Sequence, residues 1–253
     1  MKKIKIAIPK GSLEKDTKHI FQRAGFMLDG YGTGERGYRP TLDDPTVEVK
    51  VLRPQEIPML VAEGYYDLGI SGLDWFLETR SNTDAEVIMD LGYGRVDIVM
   101  AVPQEWDEVK TLEDLLAMPR REIRISTEYL NLAEDLVVRT TGVEPSVITP
   151  WRNVRRRGYS NVSLLLSFGA TEAKPPEDAE AIIDNSSTGS TLRENGLKVI
   201  ATVLKGSTAR LIANCGSLHD PDRAEWIQTF RDRLARAADA PGRQRRRSFS
   251  GHF

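Results

Sequence analysis

The run RVDIVMAVP at residues 95–103 divides the chain into two parts. It is apolar over most of its length, follows a glycine-bearing turn and ends on a proline, which is the pattern of a buried strand. We interpret it as a strand that leaves one lobe for another, and we predict a return crossing near residues 183–204. Two such crossings would place a cleft between two α/β lobes, where small-molecule sites are common.

Strands and helices alternate on both sides of this run. Residues 3–8 alternate as a half-exposed strand, the segment PKGS at 9–12 interrupts the pattern, and a helical stretch follows at 13–23. Strands that alternate with helices of this length indicate parallel α/β sheets. Further strands are predicted at 47–52, 68–70, 87–91, 96–102, 123–126, 147–149, 181–184, 198–204 and 209–213, and helices at 54–63, 73–78, 112–117, 130–139, 191–195 and 221–238.

Composition excludes several classes of protein. The 253 residues are 40% hydrophobic and carry a formal net charge of −2, which argues against a general nucleic-acid binder. No apolar stretch approaches the roughly 20 residues of a membrane span. The single cysteine, Cys215, excludes an intrachain disulfide, and the N-terminal residues lead into a strand rather than a secretory core. We therefore expect a cytoplasmic protein that binds neither nucleic acid nor membrane.

The strongest chemical signal is the stretch AIIDNSSTGSTL at 181–192. An apolar strand ends in Asp184, and six small or hydroxylated residues then open a short helix. Small residues allow close approach of the backbone, and the N–H groups and hydroxyls of such a loop suit a phosphate monoester. Asp184 would accept hydrogen bonds from the ribose of a sugar whose 5-phosphate the loop holds. The alternative is a capped turn without a ligand.

Two basic residues and two glycine-bearing turns lie next to other strand ends. Lys10 and Arg53 stand where a diphosphate or triphosphate would be met, and the turns at 67–75 and 90–95 carry glycines that permit close approach of a ligand. Each signal also has a plain structural explanation, namely a solvated basic side chain or an ordinary turn. None of them decides the function alone.

Taken in order, these motifs resemble the ATP phosphoribosyltransferase family, whose members catalyse the first step of histidine biosynthesis. The most specific piece is the pattern Asp-x-x-Ser-Thr-Gly-x-Thr-Leu at 184–192. The resemblance runs from about residue 3 to about residue 213. Its other pieces are PKGSL at 9–13, RPQEIP at 53–58, DLGISGLD at 67–74, STEY at 126–129 and GATEA at 169–173.

The resemblance implies a fold and a reaction. The fold is α/β with two lobes, like that of type II periplasmic binding proteins, and has a cleft between the lobes. The reaction is a Mg²⁺-dependent pentosyl transfer, in which N1 of ATP displaces pyrophosphate from 5-phosphoribosyl pyrophosphate (PRPP). The alternative is a two-lobed small-molecule binding protein or regulatory subunit without catalysis, because a fold does not fix a function.

The resemblance also assigns roles to individual positions. Lys10 and Arg53 would be catalytic, near the phosphates of PRPP or ATP. PRPP would be held by Asp184, Ser187, Thr188, Gly189, Ser190, Thr191 and Glu180, ATP by Gly11, Gly72, Asp74 and Tyr93, and a metal ion by Glu172.

The expected organisation is a first lobe of residues 1–96 plus about 196–220, and a second lobe of 97–195 that carries the phosphate loop 184–192. Residues 221–253 would form a C-terminal helix and a basic tail. Members of the family assemble through dimers, so a homo-oligomer is expected. Only about 40 residues follow the last family-like strand, without the alternation of a histidine-binding module. We therefore expect no regulatory domain here, and a separate regulatory subunit as a possible partner.

Overall fold

The chain folds into two α/β lobes in the computed structural model, which describes residues 3–32, 37–156 and 160–239. The first part of the chain forms β1 (Ile4–Pro9), α1 (Glu14–Arg23), β2 (Leu28–Asp29), β3 (Thr41–Leu42), β4 (Val47–Leu52), α2 (Ile57–Ala62), β5 (Leu68–Gly72), α3 (Leu73–Glu78) and β6 (Ala85–Asp90). The middle part forms β7 (Val96–Pro103), α4 (Leu112–Leu116), β8 (Ile123–Thr127), α5 (Leu130–Thr141), β9 (Ser146–Thr149), β10 (Arg152–Val154), β11 (Val162–Leu166), β12 (Ala181–Ser186), α6 (Ser190–Glu194) and β13 (Leu197–Ser207). The chain continues through β14 (Ala209–Asn214), α7 (Cys215–His219) and α8 (Pro221–Asp239).

The first lobe is built on a sheet of order β4-β1-β5-β14-β6. Strand β1 lies parallel to β4 and β5, whereas β14 is antiparallel to both of its neighbours. The prediction of parallel sheets is therefore only partly correct. Both faces of β1 are buried, as expected of a strand covered on two sides, because helices pack against each face.

The second lobe is built on a sheet of order β10-β9-β11-β8-β12-β7-β13. Strand β13 runs antiparallel to β7 over its whole length, from the pair Leu197 and Pro103 to the pair Ser207 and Val96. Residues 197–207 thus belong to the second sheet, although the sequence placed about 196–220 in the first lobe. The chain returns to the first lobe at Thr208, between β13, which belongs to the second sheet, and β14, which belongs to the first.

The C-terminal helix α8 closes the core of the first lobe rather than standing apart from it. Phe230 is 1% exposed, and its ring lies 5.5 Å from that of Phe21 and 4.8 Å from that of Phe26. The predicted C-terminal helix therefore forms as part of the first lobe, since its apolar face completes the first core. The arginine-rich stretch at 241–253 lies outside the described residues. Across the described ranges, no helix combines the length and apolar character that a membrane crossing requires.

Candidate functional site

A cavity of about 460 Å³ lies between the lobes, and the predicted phosphate loop forms one of its walls. The first lobe contributes Ser12 and Leu13, which follow β1, and the start of β7 contributes Arg95. Glu172 and Asp184 line the same cavity from the second lobe. The structure thus brings an acid pair and the hydroxyl-bearing loop together at one point of the cleft.

The loop after β12 presents its hydroxyl groups to this cavity. The side chains of Ser187, Thr188, Ser190 and Thr191 are exposed, and all four line the cavity. The loop is held from within, because the Gly189 N–H donates to Ser186 Oγ at 3.0 Å. Several hydroxyls and a tight backbone turn are the groups that bind a phosphate monoester.

Asp184 is a half-buried carboxylate in this cavity. Burial is the largest cause of a pKa raised to about 6, and the negative charges of Glu128 and Glu172 add to it. The backbone N–H of Asn185 donates to Asp184 Oδ1 at 2.7 Å and opposes the shift. The cavity therefore holds negative charge that a cation or a hydroxyl donor would stabilise.

A second, larger cavity of about 850 Å³ shares Ser12 and Asn185 with the first, so the two are adjacent in the cleft. Its cations are Lys10, Arg39, Lys50 and Arg53. Within the described ranges Arg39, Lys50 and Arg53 form no ion pair, whereas Lys10 Nζ lies 3.3 Å from Tyr38 Oη. This part of the cleft is suited to a polyphosphate, because four cations line it against two acids, Glu56 and Glu128.

Comparison with known proteins agrees with this geometry. A family model described as ATP phosphoribosyltransferase matches residues 53–236. The ATP phosphoribosyltransferase of Pelotomaculum thermopropionicum is 36% identical over 233 residues, which cover 90% of this chain and 70% of that protein. The enzyme of the same name from Solibacter usitatus is 37% identical, with 95% of this chain and 74% of that protein covered. The chain belongs to the ATP phosphoribosyltransferase family.

This assignment confirms the predicted resemblance and the predicted class of transferase, and it does not favour a binding protein without catalysis. The solved structures confirm the fold. A chain of the ATP phosphoribosyl transferase (HisG:HisZ) complex from Thermotoga maritima superposes with a TM-score of 0.70 at 20% identity, covering 93% of this chain and 98% of that chain. A Candida albicans protein described as exhibiting the generic periplasmic binding protein structural fold superposes with a TM-score of 0.53 at 11% identity, covering 94% of this chain and 71% of that chain.

Several cavity residues of this ATP phosphoribosyltransferase family member were given no role by the sequence analysis. Their separate positions in the sequence gave no common pattern, and only the folded chain brings them to the cleft. Arg95 was the nearest to being found, since it opens the strand that crosses between the lobes. They include Tyr38, Arg39, Lys50, Trp75, Arg95 and Glu128.

Two residues expected near the nucleotide lie instead in a buried contact between the lobes. Asp74 is 5% exposed, and its Oδ2 accepts from Tyr129 Oη at 3.0 Å while its Oδ1 accepts from Ser207 Oγ at 2.6 Å. Gly72 precedes α3, where a Cβ would stand 2.1 Å from Asp74 Oδ1. Neither residue lines either cavity. Asp74 instead holds the two lobes together through these two hydrogen bonds.

Glu180 and Tyr93 also lie away from these two cavities. Glu180 precedes β12, roughly 13 Å along the strand from Asp184 at about 3.3 Å per residue. It is 2% exposed and accepts from the backbone N–H of Arg124 at 2.7 Å. The expectation that it faces the ribose does not fit this position. Tyr93 Oη hydrogen-bonds Thr17 Oγ1 at 2.8 Å beneath α1, and burial raises its pKa.

A set of contacts that we call the latch joins α3 of the first lobe to the start of α5 in the second. Glu78 Oε1 accepts from the Asn131 N–H at 2.9 Å, and its Oε2 accepts from the Leu132 N–H at 3.0 Å. The Trp75 ring stacks on Tyr129 with centroids 4.4 Å apart. A carboxylate from one lobe thus satisfies the free N–H groups at the helix start of the other.

The latch makes stability depend on pH. The pKa of Glu78 is raised from 4.5 to about 7, chiefly by burial and to a smaller extent by the charge of Asp135. The hydrogen bonds from Asn131 and Leu132 and the charge of Arg80 lower the pKa but do not cancel this rise. Between these values the folded protein keeps a proton that the unfolded chain has lost, so this group makes stability fall as the pH rises from 4.5 to 7.

Replacing Glu78 with glutamine should therefore flatten the pH dependence of the unfolding free energy. Between pH 4.5 and 7 the unfolding free energy of the wild type should lose up to about 3 kcal/mol through this group, at about 1.4 kcal/mol per pKa unit, and the variant should not show this loss. Urea unfolding at a series of pH values measures it. Glu63→Gln, at an exposed position after α2, is the control and should keep the wild-type slope. An unchanged slope in the Glu78 variant would refute this origin.

Proposed function

We propose that the cleft catalyses Mg²⁺-dependent transfer of the 5-phosphoribosyl group from PRPP to N1 of ATP, with release of pyrophosphate. The observation that carries this proposal is that two cavities with different chemistry lie side by side in the cleft. One is lined by hydroxyls and the acids Asp184 and Glu172, and suits a sugar phosphate. The other is lined by four cations, of which Arg39, Lys50 and Arg53 form no ion pair with a described residue, and suits polyphosphates.

In this arrangement the loop 187–191 holds the 5-phosphate of PRPP through its hydroxyls and the Gly189 backbone. Asp184 accepts hydrogen bonds from the ribose hydroxyls, which its carboxylate form is suited to do above pH 6. Lys10 and Arg53 hold the pyrophosphate or the triphosphate of ATP. Gly11, which has a left-handed φ of +86° and no atom within 4 Å of a Cβ position, allows a phosphate to approach the backbone beside Lys10.

The chemistry requires mainly positioning and charge stabilisation. Displacement at C1 of the ribose develops positive charge on the sugar and negative charge on the departing pyrophosphate. Asp184 lies where it would stabilise the first, and the guanidinium and ammonium groups of the larger cavity would stabilise the second. Adenine N1 is already a lone-pair nucleophile. No general base is therefore needed to activate it.

Mg²⁺ fits the acids of the smaller cavity. Within the described ranges, no group of three or more His, Cys, Asp or Glu side chains is arranged to hold a metal ion. Mg²⁺ is commonly bound by one or two carboxylates together with substrate phosphates, and Glu172 and Asp184 supply such a pair. When bound, the ion would neutralise charge on the pyrophosphate. We propose Glu172 as a ligand on this basis.

The proposal also covers the setting of the enzyme. The relative from Thermotoga maritima is described as a HisG:HisZ complex, which supports a separate subunit as a regulatory partner of this chain as well. We propose in addition a homo-oligomer built from dimers and a cytoplasmic location, as the family resemblance implies.

The direct test is to incubate the purified chain with ATP, PRPP, Mg²⁺ and a pyrophosphatase. Phosphoribosyl-ATP should form, and omission of Mg²⁺ or addition of a chelator should abolish it. The product is followed by its ultraviolet absorbance and identified by mass spectrometry. The Arg53→Ala variant should lose at least tenfold in kcat/KM, because it removes an unpaired cation from the larger cavity. Folded protein that forms no product, with or without the candidate partner, would overturn the proposal.

A further inference from the structure

We propose that Arg95 is a specificity-determining residue of the smaller cavity and supplies the positive charge that binds the 5-phosphate of the sugar substrate. This inference deepens the proposed function and rests on it. Among the residues that line the cavity, all within the described ranges, Arg95 is the one that carries a permanent positive charge. The acids of the same cavity, Glu172 and Asp184, are negative.

Charge explains why such a residue is needed. A phosphate monoester is largely a dianion at neutral pH, and Glu172 and Asp184 would repel it. The loop opposes this repulsion only with neutral donors, namely hydroxyls and backbone N–H groups. A guanidinium adds full charge and a planar pair of donors that matches two phosphate oxygens. Arg95 can serve the ligand, because no described residue forms an ion pair or hydrogen bond with its guanidinium.

The fold positions the Arg95 guanidinium against a glycine. Gly206, the penultimate residue of β13, has a left-handed φ of +69°. A Cβ at this position would lie 3.2 Å from Arg95 Nη2 and 3.5 Å from its Cζ. The Gly206 N–H donates to Asp97 Oδ1 at 2.6 Å, which fixes this backbone next to β7. The guanidinium thus lies close against the Gly206 backbone, and a Cβ there would force it to shift by a few tenths of an ångström.

The Arg95 guanidinium lies where β7 and β13, the two strands that connect the lobes, are paired. Arg95 immediately precedes β7, and the register pairs Ser207 of β13 with Val96. The guanidinium is therefore attached to the connection between the lobes, while the loop that it faces across the cavity belongs to the second lobe. A bound 5-phosphate would bridge the connection and the loop.

The test uses two probes, ribose 5-phosphate and inorganic pyrophosphate, which represent the two ends of PRPP separately. The binding of each is measured by titration calorimetry. Arg95→Ala should weaken ribose 5-phosphate by about 10- to 100-fold, the loss of a charge-assisted hydrogen-bonded pair, and leave pyrophosphate within about twofold. Arg95→Lys should retain part of the affinity. Gly206→Ala should weaken the binding of ribose 5-phosphate as well, but by less than Arg95→Ala, because its Cβ only forces the guanidinium to shift by a few tenths of an ångström. Arg53→Ala is the matched control and should show the reverse pattern.

Enzyme kinetics give a second measurement. Arg95→Ala should raise the KM for PRPP while the KM for ATP and kcat stay within about threefold, and circular dichroism should confirm that the variant is folded. Equal losses for both probes, or unchanged affinity for ribose 5-phosphate, would overturn the inference. If Arg95 variants behave like wild type while the wild-type chain still makes phosphoribosyl-ATP, the role of Arg95 is wrong and the proposed function stands. A wild-type chain that binds ribose 5-phosphate through Arg95 but forms no product would refute the function alone.

Discussion

Replacing Thr188 and Thr191 together with alanine is expected to raise the KM for PRPP by about 100-fold or more, with the KM for ATP changed by less than about threefold. Both hydroxyls are exposed on the wall of the smaller cavity. A hydrogen bond to a charged partner contributes roughly 1.5 kcal/mol or more. Two of them lost from one phosphate therefore give the expected factor, and steady-state kinetics with each substrate varied in turn measures it.

The control for this pair is Thr202→Ala. Thr202 is an exposed threonine of β13 that lines neither cavity, so its loss removes a hydroxyl without touching the loop. It should leave both KM values unchanged. Thr188 Oγ1 also contacts Ser190 Oγ at 2.9 Å, so thermal unfolding must show that the loop variant is folded. Equal losses for PRPP and ATP would contradict the assignment of the loop to the sugar phosphate.

Glu180→Gln and Asp184→Asn are expected to have opposite effects, although the resemblance assigned both acids to PRPP. The glutamine variant should lose about 2 to 4 kcal/mol of unfolding free energy and keep its KM for PRPP. Arg124 donates to Glu180 from Nε at 3.1 Å and from Nη2 at 2.9 Å, and Arg120 Nη1 donates at 3.0 Å. Burial raises the pKa of Glu180, but these hydrogen bonds and charges lower it overall. A neutral amide would leave the two guanidinium groups without a charge partner.

The asparagine variant should instead be as stable as wild type or slightly more so at pH 7, because the raised pKa of Asp184 means that its charge costs stability. Its KM for PRPP should rise by at least tenfold, since an amide accepts ribose hydroxyls less well than a carboxylate. Urea unfolding and kinetics on the same two proteins compare both effects. A Glu180 variant that is stable but binds PRPP poorly would restore this residue to the ribose site.

Local signals in the sequence predicted the parts of the fold that depend on neighbours in the chain. The segment Lys3–Ile8 alternates, and β1 forms at Ile4–Pro9. The helix predicted at 221–238 is observed at Pro221–Asp239, because its apolar periodicity and N-terminal proline are local features. The strand and small-residue loop at 181–192 likewise occur where their composition indicates.

Features that depend on distant contacts were not predictable in this way. Strand β11 contains Leu164-Leu165-Leu166, a run without alternation that was not recognised as the buried neighbour of β8. The antiparallel pairing of β7 with β12 and β13 depends on the crossing between lobes. Glu180 was assigned to the ribose by the family resemblance. The sequence did not show that Glu180 precedes β12 and is buried, whereas Asp184 lies four residues further along and lines the smaller cavity.

The latch between α3 and α5 has a consequence for the thermodynamics of substrate binding. Separating the lobes at this edge would leave Glu78 without its two N–H donors, strip the Tyr129 hydroxyl from Asp74 and unstack Trp75. In a binding protein whose lobes move freely, part of the ligand's affinity is consumed in immobilising them. Here the latch contacts oppose such movement in the folded chain and so lower that entropic cost. The two substrates therefore meet a preorganised frame, in which their binding energy remains available for aligning N1 of the adenine with C1 of the ribose.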